Sequence, residues 1–371
     1  MTIPLVDLRA QQAEIADETE PLVLEALRGA GFIGGPHVAA FEAAYAAFLG
    51  TGHCIGVANG TDALELALRA VGVGVGDEVI MPANTFIATA EAASRIGATP
   101  VAVDVDPEHL LISPEAVAAA VTQRTRAIVP VHLFGQVAPV EALESIAADA
   151  GVPIVEDAAQ SQGATRNGRK AGTLGRIAAT SFYPGKNLGA SGDAGAVMTD
   201  DDDLARQVRL MANHGSSVKY RHDVVGMNSR LDAIHAITLN AKLARLERWN
   251  EQRRAAAQRY ADLLADVPGV RLPTSMPGNV DVWHLYVVRV AERDRVLAEL
   301  NAAGVGAALH YPDPWHLTPA YASTGVAGSC PVAEGAAAEI LSLPLYPHIT
   351  AEQQQDVVAA LTAALAAGPV G

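Results

Sequence analysis

The sequence predicts an α/β protein in which a large domain holds a mostly parallel, seven-stranded sheet and a smaller C-terminal domain has an α+β architecture. Two observations support this prediction. The chain has 371 residues, which is too long for one ordinary hydrophobic core, so two domains are expected. Short β-branched runs also alternate with Ala/Leu-rich amphipathic stretches in the N-terminal part of the chain, a pattern typical of a parallel sheet covered by helices on both faces.

Each predicted strand is a short, mostly apolar segment bounded by polar or turn residues. The seven segments are residues 54–58, 78–82, 99–104, 127–132, 154–157, 177–182 and 194–199. The helical stretches between them include residues 62–70, 114–121 and 139–150. The pattern leaves open whether the last strand runs parallel or antiparallel to its neighbours.

The C-terminal part of the chain has a different organisation. A long helical pattern over residues 231–262 leads out of the first domain. The segments 283–290 and 308–311 and a final helix over residues 351–366 then predict the small α+β domain. We place the boundary near residue 245, which gives a large domain of residues 1–245 and a small domain of residues 246–371.

The composition argues against several classes of function. The 26 basic and 41 acidic residues give a net charge of −15, and such a surface repels nucleic acid and anionic lipid because phosphate binding needs clustered Lys and Arg. The sequence contains no apolar run of the roughly 18–20 residues that span a bilayer. We also expect no signal peptide, because the first residues show no basic segment followed by an apolar one. Cys54 and Cys330 match no metal or redox spacing. We expect a cytoplasmic protein without a metal site.

Polar residues that follow a strand are the first candidates for a site, because ligands of open α/β sheets bind beyond the carboxyl ends of the strands. The first predicted strand leads into Asn59, Gly60 and Thr61, directly before a helical stretch. Free backbone N–H groups, a hydroxyl and the positive end of a helix dipole together suit a phosphate. The alternative is that Asn59 or Thr61 is an ordinary helix N-cap.

Two further candidates follow the second and fifth predicted strands. Phe86 could stack on a planar ring, although a Phe in that position is commonly part of the core. Asp157 ends an apolar segment, and a carboxylate buried there needs a cationic partner. A protonated pyridine nitrogen would serve, and the carboxylate would keep that ring a good electron sink. The alternative is a capping or salt-bridged Asp.

Lys186 follows the sixth predicted strand, in the segment SFYPGKNLGASGDAG of residues 181–195. The glycines of this segment imply a tight, closely packed turn around the lysine. A lysine held in such a turn is partly desolvated, which lowers its pKa and favours imine formation with an aldehyde. The alternative for any single lysine is an exposed, solvated side chain.

These residues belong to a series of motifs that resembles the DegT/DnrJ/EryC1/StrS family of sugar aminotransferases, which have the fold type I architecture of pyridoxal phosphate (PLP) enzymes. Each motif is modestly specific, but their order along nearly the whole chain is very specific. The motifs are IPLVDL near the start, GPHVAAFE (35–42), VANGTDALELAL (57–68), GDEVIMPANTFIAT (76–89), PVHLFGQ (130–136), VEDAAQSQGA (155–164), SFYPGKNLGASGDAGAV (181–197), NHGS (213–216), GMNSRLDAIHA (226–236), HYPDPWHLTPAY (310–321) and LSLPLYPHIT (341–350).

The resemblance implies a PLP cofactor and assigns roles to individual residues. Lys186 matches the lysine that carries PLP as a Schiff base and then moves the proton, and Asp157 matches the acid paired with the pyridine nitrogen. Phe86 matches the aromatic residue stacked on the ring, and Gln160 the residue near its phenolic oxygen. The implied contacts around the phosphate are Asn59, Gly60, Thr61 and Ser181 and, from the neighbouring subunit, Asn228.

The resemblance further implies a homodimer with shared active sites that catalyses transamination. In this family L-glutamate is the expected amino donor, and a keto-sugar takes up the amino group in the second half-reaction. A dehydratase branch has histidine at the position of the lysine, so Lys186 favours the aminotransferase. The expected setting is deoxysugar biosynthesis, of the kind that also serves antibiotic biosynthesis.

The motif around Lys186 resembles members that aminate C3 of nucleotide-linked hexoses, which favours a dTDP-3-keto-6-deoxyhexose as acceptor. UDP-linked sugars, amination at C4 and cyclitol ketones are the alternatives. Residues 217–222, with Arg230, could meet a pyrophosphate, or form an ordinary solvated loop. The candidate substrate contacts, some of which could equally be structural, are Tyr183, Lys219, Tyr220, Arg230, His310 and Tyr311.

Two other classes of protein fit the sequence less well. A dinucleotide-dependent oxidoreductase needs G-x-G-x-x-G after its first strand, whereas Gly72, Gly74 and Gly76 alternate in a later loop. A non-catalytic regulator that binds PLP could have the same fold, because fold alone does not determine function. The intact Lys186 and Asp157 favour an enzyme.

Overall fold

The computed structural model describes residues 2–367. The helices are α1 Leu8–Gly29, α2 Pro36–Leu49, α3 Gly60–Ala70, α4 Ile87–Arg95, α5 Pro114–Ala120, α6 Val140–Ala150, α7 Asp202–Ala212, α8 Ala233–Leu243, α9 Leu246–Leu264, α10 Arg293–Ala302, α11 Pro331–Ala337 and α12 Ala351–Ala366. The strands are β1 His53–Val57, β2 Glu78–Pro82, β3 Thr99–Val103, β4 Thr125–Ile128, β5 Val155–Asp157, β6 Thr165–Arg166, β7 Arg169–Lys170, β8 Ile177–Ser181, β9 Gly195–Thr199, β10 Ser216–Val218, β11 Arg221–His222, β12 Val270–Arg271, β13 Asn279–Val280, β14 Tyr286–Val290 and β15 Ile340–Leu343.

The central sheet contains the seven predicted strands. Strands β1, β9, β8 and β5 form one hydrogen-bonded group in that order, and β3, β2 and β4 form another. Parallel bridges from Ile128 to Ile154 and from Val131 to Asp157 join the groups between β4 and β5. The complete order is therefore β1-β9-β8-β5-β4-β2-β3, which confirms the predicted mixed α/β fold with a mostly parallel sheet.

Strand β9 is the antiparallel member of this sheet, paired in that sense with both β1 and β8. The segment between β8 and β9 contains no helix. A parallel pairing needs a long crossover, usually helical, whereas an antiparallel pairing does not. The connection therefore lies at the end of the sheet, and it is the segment that contains Lys186.

Helix α3 links the core to the same end of the sheet. Its apolar side chains are buried, and Leu66 has no exposed surface. Burying one such side chain contributes about 1.5–3 kcal/mol, so α3 is firmly held against β8 and β9. Because α3 begins at Gly60, shortly after β1 ends at Val57, its N-terminus lies beyond the carboxyl end of that strand.

A second core lies in the C-terminal part of the chain. Strands β12, β14 and β15 form an antiparallel sheet in that order, and α10 and α12 pack with it around a separate group of buried apolar side chains. The N-terminal segment joins this part, since Ile3 is buried in the same core and bridges to Val305. This is the predicted α+β architecture.

The structure corrects three of the predicted segments. Residues 231–262 are not one helix: α8 and α9 are separated at Ala244–Arg245, where the Arg245 guanidinium donates back to the Ala241 carbonyl (2.7 Å) and pairs with Glu18 of α1 (3.0 Å). This break lies beside the proposed domain boundary at residue 245, which stays a prediction.

The other two corrections concern strands that are shorter than expected. The strand predicted over residues 127–132 ends at Ile128, because Pro130 has no N–H to extend the ladder. The segment 308–311 makes one bridge, from Ala308 to Ser342, and is not a named strand; Pro312 follows it directly. Within residues 2–367, no helix combines the length and apolar character that crossing a bilayer requires.

Candidate active site

A cavity of about 480 Å³ lies at the carboxyl end of the sheet, within the range typical of small-molecule sites. Among its lining residues are eleven of the predicted site residues, namely Asn59, Gly60, Thr61, Phe86, Asp157, Gln160, Ser181, Tyr183, Lys186, His310 and Tyr311. These residues come from five separate parts of the chain. The fold therefore brings the predicted cofactor site and part of the predicted substrate site together.

Lys186 lies in the turn between β8 and β9, where its backbone N–H donates to the Tyr183 carbonyl (2.9 Å). The turn is tightly packed, since a Cβ on Gly189 would lie 2.3 Å from the Pro184 carbonyl oxygen. Burial lowers the pKa of Lys186 to about 8, and the nearby Asp157 carboxylate opposes this shift. A substantial fraction of this amine is therefore neutral and nucleophilic near pH 8.

Asp157 ends β5, and its side chain is buried. Its Oδ2 accepts a hydrogen bond from the Thr89 hydroxyl (2.8 Å), and its Oδ1 accepts one from the Ala159 N–H (3.1 Å). Burial raises the pKa of Asp157, while these two hydrogen bonds oppose the rise. A cation bound against this carboxylate would favour its ionised form, so the environment fits a protonated ring nitrogen.

The N-terminus of α3 also lines the cavity. Asn59 is the N-cap, since its Oδ1 accepts from the Asp62 N–H (2.8 Å). Gly60 allows a close approach to β8, because a Cβ there would lie 2.6 Å from the Cβ of Ser181. The first N–H groups of a helix have no partner inside it, so with the Thr61 and Ser181 hydroxyls they form a cradle suited to a phosphate.

Aromatic and amide groups line the cavity as well. Phe86 is 51% exposed, so it is not a core residue, and its ring lies 5.2 Å from that of Tyr311. Gln160 is fixed at both ends of its amide: Oε1 accepts from the Phe134 N–H (2.7 Å), and Nε2 donates to the Tyr311 hydroxyl (3.0 Å). A flat ring bound in the cavity would thus meet an exposed aromatic face and an oriented amide.

His310 and Tyr183 occupy the remaining predicted positions around the cavity. The Nδ1 of His310 is hydrogen-bonded to the Ser342 hydroxyl (2.8 Å). Burial, together with the charge on Lys186, lowers the pKa of His310 to about 4, so the ring is neutral at physiological pH. Tyr183 is 59% exposed at the rim of the cavity.

Four predicted residues lie outside this chain's cavity: Lys219, Tyr220, Asn228 and Arg230. All four are exposed. Lys219 and Tyr220 are in the turn of the β10–β11 hairpin, with the Lys219 ammonium 5.1 Å from the centre of the Tyr220 ring. Arg230 makes a long contact (3.5 Å) to Asn213, the residue that bridges to Asn228.

The cavity also contains residues that the sequence prediction missed, including Leu5, Val6, Thr85, Thr89, Asp193 and His284. Thr85 donates to Thr89 (2.9 Å), which in turn donates to Asp157. Their four-residue spacing across the start of α4 was a signal that could have identified them. Leu5, Val6 and His284 arrive from distant parts of the chain and gave no local signal.

Comparison with known proteins agrees with this geometry. The model of the DegT/DnrJ/EryC1/StrS aminotransferase family matches residues 13–362. The dTDP-3-amino-3,4,6-trideoxy-alpha-D-glucose transaminase of Streptomyces venezuelae is 46% identical over 97% of this chain and 95% of its own length. The UDP-2-acetamido-2-deoxy-3-oxo-D-glucuronate aminotransferase of Pseudomonas aeruginosa is 43% identical over 97% of this chain and 99% of its own length.

A solved structure is equally similar. The S. venezuelae protein DesV, crystallised in complex with a ketimine intermediate, superimposes with a TM-score of 0.95 at 44% identity and covers 100% of both chains. The family uses PLP as its cofactor, and the lysine, carboxylate and phosphate cradle described above fit that cofactor. The chain belongs to the DegT/DnrJ/EryC1/StrS aminotransferase family and is a PLP-dependent sugar aminotransferase.

Proposed function

We propose that this enzyme transfers the amino group of L-glutamate to C3 of a dTDP-3-keto-6-deoxyhexose. The observation that carries the proposal is a cavity that brings together Lys186, the buried Asp157 carboxylate and the N-terminus of α3. The preference for C3 is supported by the motif around Lys186 and by the relatives, whose names describe transaminases that form 3-amino sugars or act on 3-oxo sugars.

The cofactor, when bound, supplies the electron sink that stabilises negative charge on the reacting carbon. We assign the proton transfers to Lys186, whose Nζ would take the proton from Cα of the donor and return it to the bound cofactor. Asp157 would keep the ring nitrogen of the cofactor protonated, and Thr89 holds that carboxylate in place. Phe86 would stack on the cofactor ring. The same groups act in reverse order on the keto-sugar.

We also infer a homodimer in which each subunit completes its partner's site. Among the described residues that line the cavity, Lys186 is the one Lys or Arg. Glutamate carries two carboxylates and a nucleotide-sugar carries a pyrophosphate, and these groups need Arg or Lys partners. The exposed Lys219 and Arg230, with Asn228 for the cofactor phosphate, are suitable for this role from a second copy.

The setting we propose is the cytoplasm, where deoxysugar nucleotides would be the substrates. Both cysteines, Cys54 and Cys330, are buried free thiols, as is usual in a reducing compartment.

The acceptor is tested on enzyme that has first been converted to its amine form with L-glutamate and then freed of donor. Adding a dTDP-3-keto-6-deoxyhexose should restore the near-visible absorbance of the cofactor within one turnover. A faster recovery with a UDP-linked 3-keto sugar would transfer the proposal to that class, which the P. aeruginosa relative represents. Recovery only with a 4-keto sugar or a cyclitol ketone would contradict the proposal.

Variants at Lys219 and Arg230 separate a nucleotide-sugar from a cyclitol. Losing one hydrogen bond to a charged group typically removes about 1.5–3 kcal/mol, so Arg230→Ala should raise the KM for a nucleotide-linked acceptor by about tenfold to a hundredfold. A cyclitol ketone has no pyrophosphate, and its KM would hardly change. The control is Glu20→Ala, which changes an exposed residue of α1.

A further inference from the structure

His284 lines the cavity but has no role in the mechanism described so far. It is largely buried, with 8% of its surface exposed, and it lies just before β14, in the C-terminal part of the chain. Its Nδ1 is hydrogen-bonded to Oδ1 of Asn187 (3.2 Å), the residue that directly follows Lys186. The imidazole ring therefore joins the turn that contains Lys186 to the segment directly before β14.

Two buried amides determine which nitrogen of His284 carries the proton. Asn250 donates from Nδ2 to the Gln162 carbonyl (2.9 Å), so its Oδ1 is the acceptor for Asn187 Nδ2 (2.9 Å). Asn187 also donates to the Val282 carbonyl (2.9 Å). Carbonyl oxygens can only accept, so neither amide can be flipped. The Oδ1 of Asn187 must then accept a hydrogen from Nδ1 of His284.

The other ring nitrogen is consequently a bare acceptor. A neutral imidazole with its proton on Nδ1 has a lone pair on Nε2, and Nε2 has no hydrogen-bond partner within residues 2–367. The ionisable groups that act on the ring are Lys186, Arg253 and His310, and burial together with these groups lowers the pKa of His284 well below its ordinary value. The ring stays neutral through the physiological range.

Lys186 presents the complementary group. Its Nζ has no hydrogen-bond partner among the described residues and opens into the same cavity. In the transamination proposed above, Lys186 would have a free amine once the donor is bound, and its N–H groups would need an acceptor. We propose that His284 is a positioning residue for Lys186, whose freed amine donates a hydrogen bond to Nε2 and is thereby held beside the reacting carbon. This inference rests on the proposed role of Lys186.

Two substitutions of His284, by side chains of similar length, separate this role from simple packing. Glutamine can donate from its amide nitrogen to Asn187 and leave its oxygen as an acceptor toward the cavity, whereas methionine has no N–H donor and only a weak acceptor. His284→Met should retain the resting near-visible absorbance but react with L-glutamate about tenfold to a hundredfold more slowly in a single turnover, since misplaced groups cost rates of that order. His284→Gln should recover most of the rate.

The pH dependence supplies the readout that packing would not change. An acceptor for the lysine ammonium favours its charged form, so His284→Met should move the pH midpoint of the single-turnover rate to lower pH, and His284→Gln should restore it. A rate within about twofold of the wild type, or a slower rate with an unmoved midpoint, would overturn the proposal. If the wild-type enzyme itself does not react with L-glutamate, the proposed function fails instead.

The tautomer can be checked without relying on a variant that folds. In holoenzyme labelled with ¹⁵N-histidine, the His284 resonances, assigned by their absence from His284→Gln, should show a protonated Nδ1 and an unprotonated Nε2 between pH 6.5 and 9. The opposite tautomer, or a charged ring at pH 6.5, would overturn the proposal.

Discussion

The reactivity of Lys186 depends on two opposing influences on its pKa. Burial disfavours the ammonium and the Asp157 carboxylate favours it, and burial dominates, since the pKa falls to about 8. An ordinary lysine, with a pKa of about 10.4, would be well under 1% neutral at pH 8. The protein thus makes this amine nucleophilic without removing its neighbouring negative charge.

The lowered pKa of Lys186 should control how fast the protein captures its cofactor. Because the neutral amine is the nucleophile, the rate at which cofactor-free protein regains near-visible absorbance after PLP is added should rise with pH to a midpoint near 8. The measurement is a series of reconstitution rates between pH 6 and 10. A rate that continues to increase beyond pH 10 would contradict the lowered pKa, and Lys186→Ala, which should regain no such absorbance, is the control.

Asp157 gives a prediction with opposite effects on activity and stability. Burial raises the pKa of Asp157. Without cofactor, the folded protein therefore loses stability as the pH rises from the pKa of Asp157 in the unfolded chain through its higher pKa in the folded protein. Cofactor-free Asp157→Asn should therefore be at least as heat-stable as the wild type at pH 7. Its half-reaction with L-glutamate should be about a hundredfold slower or more, because the ring nitrogen loses its anionic partner.

The measurements are a thermal unfolding midpoint of the cofactor-free proteins and a stopped-flow rate of the holoenzymes. A clear fall in the unfolding midpoint would show that the ionised carboxylate stabilises the empty site, contrary to the account. Thr89→Val should produce a smaller loss of rate in the same direction, because it removes one of the hydrogen bonds that hold Asp157.

At the scale of elements, the junction between α3 and β8 determines whether the phosphate cradle can form. A Cβ on Gly60 would lie 2.6 Å from the Cβ of Ser181, so Gly60→Ala must separate the helix N-terminus from the strand. Overpacking of this kind costs about 1–3 kcal/mol. We predict that the Kd for PLP rises about tenfold or more while the fold is retained, as measured by titration of the cofactor-free protein.

The matched control for this prediction is Gly74→Ala. A Cβ there meets no atom within 4 Å, and the backbone needs no left-handed conformation. Its Kd for PLP should equal that of the wild type. Equal affinities for the Gly60 and Gly74 variants would mean that the start of α3 does not contact the phosphate.

The strands of the central sheet could be predicted from the sequence, whereas some element ends could not. The seven strands could be predicted because each is a short, mostly apolar segment, and β2 and β9 are buried along their whole length. The break between α8 and α9 could not, because residues 231–262 contain no Gly or Pro to mark a helix end; at the break Arg245 pairs with distant Glu18. The end of β4 could have been predicted from Pro130.

Some residues of the candidate site could likewise be predicted from the sequence, and others could not. Residues at or shortly after the carboxyl ends of strands, such as Asp157 and Lys186, could be located because ligands of α/β sheets bind beyond those ends. His284 could not, because its place in the cavity and its tautomer depend on amides from three distant segments. Lys219 and Arg230 lie outside the cavity of one chain, and their predicted role depends on the proposed dimer.

For the whole molecule, the central prediction is that the site is shared between two subunits. Lys186→Ala subunits should be inactive alone, and Arg230→Ala subunits should be about tenfold to a hundredfold less active than the wild type when the nucleotide-linked acceptor is kept well below its KM. If one subunit supplies the lysine and the other the arginine, each hybrid dimer has one complete site. Co-expression in equal amounts should then give roughly a quarter of the wild-type activity, since about half of the dimers are hybrids. Activity no higher than that of the separate variants would contradict sharing.

The proposed mechanism depends most directly on the identity of the lysine that binds the cofactor. The decisive measurement is an absorbance spectrum of the purified holoenzyme, recorded before and after L-glutamate, with a separate sample reduced by borohydride and mapped by peptide mass spectrometry. We predict near-visible absorbance that L-glutamate bleaches, and a reduced cofactor attached to Lys186. A protein that stays colourless after PLP is supplied, or a cofactor trapped on another lysine, would contradict the account.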